Sequence, residues 1–146
     1  MAEEQQREDA FEIKRVYIKD LSFESPSGAE TFTNPWAPEV NIDVDVNNEK
    51  LGEEVYEVVL TLTVTVDNAG ATAFMIEILQ GGIFACRGFS DEQLQRVLYT
   101  YCPNVLFPYA REAVDSVVLK GSFPALMIEP VNFEALYNQH AEAGAS

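Results

Sequence analysis

The side chains that could carry chemistry in this chain are few, and they are badly spaced for it. The one histidine, His140, stands near the C-terminus among alanines and reads as a solvated surface residue. Cys86 and Cys102 form no C-x-x-C pair and have no partnering histidine, so neither a zinc site nor a thiolate nucleophile is indicated. Asp43 and Asp45, two apart, resemble a carboxylate pair, but nothing near them supplies a base or an apolar pocket. They read as the charged face of a strand. Gly81-Gly82 is too short to cradle a phosphate, and no G-x-S-x-G, P-loop or G-x-G-x-x-G pattern occurs. The chemistry expected is therefore binding, not turnover.

The elements that would position a binding surface are easier to read. Residues 74–84 form a strand that is apolar on both faces. Phe74, Ile76, Ile78, Gln80 and Phe84 lie on one side; Met75, Glu77, Leu79 and Ile83 lie on the other. Residues 11–24, 40–46 and 55–66 alternate as strands, with a turn expected at Asn47-Asn48 and a tight hairpin at residues 67–70 (Asp-Asn-Ala-Gly). Residues 25–38, broken by prolines and holding the only tryptophan, Trp36, form a loop. Ser90 with Gln93 makes a capping-box pattern for a helix that Pro103 should end. A second helical segment, 109–120, comes after Pro108 and is closed by Gly121. Asn132 caps a last helix from Phe133 to about His140. Four strands followed by helices predict an α+β fold: a four-stranded antiparallel sheet with C-terminal helices packed on one face. The uncovered face would carry Glu57, Thr61, Thr63 and Glu77 and, in matching register, Asp20 and Glu24. Helix enough for one side only implies that the other side meets a partner or another copy.

A length of 146 residues fits a single domain, with residues 1–9 and 141–146 as flexible tails. With 24 acids against 9 bases the net charge is −15, which repels nucleic acid and anionic lipid and favours a basic protein partner. A polar, acidic N-terminus and the lack of a membrane-length apolar run predict a cytoplasmic protein with reduced, buried cysteines. A surplus of large apolar side chains sits on proline-broken segments, 101–109 and 123–128. That material suits a groove for extended chain.

Several stretches resemble the SecB family of bacterial export chaperones. They are residues 11–24 (Phe-Glu-Ile-Lys-Arg-Val-Tyr-Ile-Lys-Asp-Leu-Ser-Phe-Glu), 55–60 (Val-Tyr-Glu-Val-Val-Leu), 80–84 (Gln-Gly-Gly-Ile-Phe), 101–104 (Tyr-Cys-Pro-Asn), 106–112 (Leu-Phe-Pro-Tyr-Ala-Arg-Glu), 121–124 (Gly-Ser-Phe-Pro) and 130–133 (Pro-Val-Asn-Phe). The resemblance runs from about Phe11 to Tyr137. It implies a homotetramer, assembled as a dimer of dimers, that holds unfolded precursor proteins in the cytosol and passes them to the motor SecA at the Sec translocon. No cofactor and no catalysis are implied, nor any nucleic-acid binding or membrane insertion. The positions matching the SecA-docking face are Asp20, Glu24, Met75 and Glu77, with Met75 standing where leucine is typical. Ile76, Ile78 and Gln80 match positions tied to assembly, with Ile76 in place of the usual cysteine. The client groove is expected to take in Trp36, Val40, Ile42, Val44, Leu126, Phe133 and Tyr137. The alternatives are a SecB-like chaperone dedicated to a toxin–antitoxin system and a small thioesterase-like enzyme on a helix-wrapped sheet. The acidic set favours export over the first, and the second needs a carboxylate or histidine in a deep pocket.

Overall fold

Long alternating stretches build the frame. A computed structural model describes residues 10–145, with side chains to residue 140. Strands β1 (Phe11–Glu24), β2 (Glu39–Gly52), β3 (Val55–Asn68) and β4 (Ala71–Cys86) form one antiparallel sheet in the order β1-β4-β3-β2. After it come α1 (Asp91–Arg96), a π turn (Val97–Tyr101), α2 (Cys102–Lys120) and α3 (Phe133–Ala145). This is the expected α+β arrangement. Residues 1–9, expected as a tail, and Ser146 lie outside the described residues, while α3 runs on into the stretch expected as the second tail.

The core lies between the sheet and α2. Leu60, Leu62 and Val64 of β3 face Gln80, Ile78 and Ile76 of β4, and all six are buried. Leu106, Ala110, Ala113 and Val114 of α2, at helical spacing, pack onto them. Ile76 and Ile78, 1% and 0% exposed, are thus spent on the chain's own core and present no surface to a second copy.

β1 departs from strict alternation. Its 14 residues pair with the shorter run Met75–Cys86, and the register shifts twice, skipping Lys14 and Lys19. Each bulge swaps the face of the residues beyond it. Val16 and Ile18, which simple alternation groups with the acids, fall opposite Gly82 and Gln80 on the helix side. Tyr17, opposite Gly81, falls on the outer side. Buried Gln80 donates from Nε2 to the Tyr17 carbonyl at 3.0 Å, next to the second shift.

Three further expectations are corrected. The β2–β3 turn lies at residues 53–54, with Glu54 at φ 60°, not at Asn47-Asn48. Both asparagines are paired inside the hairpin, opposite Val59 and Val58. Pro103 does not end the helix, because it occupies the first turn of α2, just after the π turn. There the Cys102 N–H bonds back to the Val97 carbonyl, and a missing donor is tolerated. Pro108 lies inside α2, flanked by buried Phe107, and not at a helix start. Gly121 stands at the cap with an ordinary φ of −81°, and the left-handed residue is Ser122 at φ 68°. Phe123 N–H bonds to Val118 O at 3.1 Å and Ser122 N–H to Leu119 O at 3.0 Å, a complete Schellman closure. Gly121 is required for space instead: a Cβ there would lie 2.6 Å from the Phe23 ring.

Candidate functional site: an edge groove and an acidic sheet face

The groove arises from the edge position of β2. On the helix side its alternation presents Val40, Ile42, Val44 and Val46, opposite Val66, Val64, Leu62 and Leu60 of β3. The facing wall is the loop after α2. The Schellman closure aims that loop, and Leu126 N–H donating to Asp115 Oδ1 at 3.0 Å holds it. Between these walls lies an open cavity of about 520 Å³, lined by Val40, Ile42, Val44, Leu126, Met127 and Ile128. A second, of about 380 Å³, lies between β2 and α3 and is lined by Val44, Val46, Tyr99, Phe133, Leu136 and Tyr137. Val44 belongs to both, so together they make one apolar trough along the strand.

α3 is set by few ties. Asn132 Oδ1 caps it by accepting from Ala135 N–H at 3.0 Å, and Phe133 is buried edge-on to Phe107. Tyr137 stacks on Tyr99 at 6.0 Å. Arg96 reaches across to both, 5.2 Å over the Tyr137 ring and 2.6 Å from Glu134 Oε1. Asp45 and His140 also border the second cavity, but both are exposed, unlike the enclosed base that an enzyme of the thioesterase type needs.

Of the seven groove positions expected, Val40, Ile42, Val44 and Leu126 line the first cavity and Phe133 and Tyr137 the second. Phe133 is fully buried and forms a floor. Trp36 lines neither. Its ring packs at 5.3 Å on Phe123, which stacks on Phe32 at 5.1 Å and lies 4.6 Å from Phe74. Met127, 78% exposed at φ 52°, lies in the apolar segment 123–128 but outside the seven positions, and Tyr99, which the π turn turns toward α3, was not anticipated. The run Leu126-Met127-Ile128 already signalled Met127, whereas nothing local signals a π turn.

The opposite face gathers the acids. Glu24 pairs with Met75, Ser22 with Glu77 and Asp20 with Leu79, so Asp20, Glu24, Met75 and Glu77 form one exposed patch across two strands. Thr65, Thr63 and Thr61 continue its rows on β3. Further along the face the Tyr17 hydroxyl donates to Glu57 Oε2, and Lys19 Nζ lies 2.9 Å from Oε1. The Tyr17 hydrogen bond, then Lys19, holds the Glu57 carboxyl below its ordinary range. Burial first, then Glu57, pushes the Tyr17 hydroxyl up to about 12. Tyr17 lies flat only because residue 81 is glycine, for a Cβ there would sit 2.6 Å from its ring. Burial likewise pushes the Cys86 thiol up to about 11 and raises Cys102 further, so both stay protonated at neutral pH. Among the described residues no group of three or more His, Cys, Asp or Glu is placed to hold a metal, and no helix is long and apolar enough to cross a membrane.

A sheet covered by helices on one face and acidic on the other, with an apolar trough beside its edge strand, is an architecture suited to holding extended polypeptide. The family model described as preprotein translocase subunit SecB matches residues 3–144. The protein-export protein SecB of Hahella chejuensis is 50% identical over 131 residues, covering 90% of this chain and 82% of that one. The chain belongs to the SecB family of protein-export chaperones. Its fold is also that of a SecB-like chaperone of Mycobacterium tuberculosis, solved in complex with a peptide from an antitoxin. That match has a TM-score of 0.67 at 13% identity and covers 83% of this chain and 90% of that one.

Proposed function

We propose that this chain is a cytoplasmic export chaperone that holds unfolded precursor segments in the β2 trough and yields them to the motor SecA, docked on the opposite face. It uses no cofactor, performs no catalysis and inserts into no membrane. The observation that carries the reading is the separation of the two surfaces by one sheet, with the trough on the helix side and Asp20, Glu24, Met75 and Glu77 on the other. Cargo and motor then engage at once without competing. Burying about 100 Å² of client apolar surface is worth roughly 2.5 kcal/mol before ordering costs. Binding only the unfolded client draws it away from folding by mass action.

The reading takes the working form as a homotetramer, a dimer of dimers, in which several troughs act on one long client through effective concentration. Exposed apolar side chains support assembly: Ile13 and Ile18 on β1, Tyr109 and Leu119 on α2. Ile76, Ile78 and Gln80 bear on it only indirectly, by fixing the shape of the sheet beneath. The net charge of −15 speeds the encounter with a basic docking segment.

The test is Asp20→Ala with Glu77→Ala. Both side chains are exposed, so folding is expected to survive. SecA affinity should fall about tenfold or more, with a shallower salt dependence, while client binding stays unchanged. Undiminished SecA affinity refutes the docking face.

A further inference from the structure

Trp36 is the only tryptophan of the chain, and the stretch around it, Asn34 to Pro38, belongs to no strand or helix. Yet the backbone on both sides of it is bound to one side chain. Ala37 N–H donates to Asn68 Oδ1 at 2.8 Å, and Asn68 Nδ2 donates to the Pro35 carbonyl at 3.1 Å. Asn68 ends β3, pairs with Ala71 across a two-residue turn, and is 6% exposed. Its amide therefore acts as a rung of sheet, supplying one donor and one acceptor from a rigid hairpin. The start of the same loop is tied separately, by Ser25 Oγ to Ala73 O at 3.0 Å and Ser27 Oγ to Thr72 O at 2.8 Å. The Trp36 end rests on Asn68.

The place matters because Trp36, which lines neither cavity itself, packs on Phe123, and along the chain Trp36 stands just before β2 while Phe123 opens the loop wall. β2 begins at Glu39, and the loop wall starts after Ser122. We infer that Asn68 is a positioning residue for client recognition, its carboxamide fixing Trp36 on Phe123 so that the head of the trough presents a preformed aromatic surface. This rests on the proposed groove. An indole held in place spares the ordering cost that a loose loop would charge to each client. Aspartate does not serve in its place, because it offers the Pro35 carbonyl a second acceptor where the amide offers a donor.

Trp36 reports on itself. Emission and acrylamide quenching of the free protein read its placement. Anisotropy of fluorescein-labelled, reduced and carboxymethylated lactalbumin, which stays unfolded, reads client binding. Asn68→Ala is expected to shift the emission to the red, raise quenching and weaken client binding by about five- to tenfold. Asn68→Asp, which keeps the acceptor for Ala37, should fall between. Val114→Ala, in the core under α2, should lower the thermal midpoint and leave both readouts in place. Unchanged emission and affinity in Asn68→Ala overturn the inference, as do equal losses in Val114→Ala. Trp36→Ala separates this from the groove reading. If it weakens client binding and Asn68→Ala does not, the inference alone fails. If it leaves client binding intact, the indole takes no part in client recognition and Asn68 is reduced to a loop anchor.

Discussion

At Gly81 the absence of one carbon decides a whole seam of the outer face. The Tyr17 ring lies where a Cβ would be, and only from there does its hydroxyl reach Glu57. Gly81→Ala is expected to lift the ring, break that bond and cost about 1–3 kcal/mol in urea unfolding. The signs of the two shifts give the pH dependence. The lowered Glu57 adds stability above its ordinary value of 4.5, lost as pH falls through its folded value. The raised Tyr17 adds stability below 10, lost as pH climbs toward about 12. Tyr17→Phe should therefore cost about 1 kcal/mol at neutral pH and flatten the alkaline decline, as urea titrations from about pH 9 to 12 would measure. Two glycines inside a strand are a sign of a bulge or a close backbone approach, and that much is legible in the sequence. That Tyr17 makes it is not, because the partner lies on another strand and reaches that face only through a bulge.

Among the elements, the end of α2 separates two jobs that glycine does elsewhere. Ser122 holds the left-handed angle, while Gly121 makes room for Phe23. Ser122→Gly should raise stability by about 1 kcal/mol, and Gly121→Ala should lower it by at least as much; opposite shifts in thermal midpoint would check both. The pattern Gly-Ser after a helix suggests the reverse assignment, since local sequence shows the cap but not the ring beside it. The prolines mislead for a similar reason. Pro103 and Pro108 each lack a donor, yet a π turn absorbs the first, and burial of Leu106, Phe107 and Ala110 keeps α2 whole around the second. β1 carries its apolar residues on one side only after two bulges, both at lysines whose long stems suit an edge.

For the whole molecule, the sheet is covered once by its own helices, and the outer face is closed partly by its polar seam. Leu79 and Ile83 remain half-buried there and Met75 is 41% exposed, so the outer face makes a milder demand for a partner than alternation suggests. The exposed apolar residues on β1 and α2 carry the stronger demand. Sedimentation or light scattering should give a mass near four times 16.3 kDa. A stable species of one chain at micromolar concentration would remove the tetramer from the proposal.

The sequence by itself determined the order of elements, the antiparallel hairpin signalled at residues 67–70, the acidic row of Asp20, Glu24 and Glu77, and the apolar face of β2. These rest on alternation, turn chemistry and charge, which act between neighbours in the chain. Only the tertiary structure decided that Ile76 and Ile78 are core, that β1 slips twice, that α2 runs through its prolines and that Asn68 holds Trp36. Each of those depends on which side chain, remote in sequence, fills or leaves a particular space, and close packing settles that question for the folded chain as a whole.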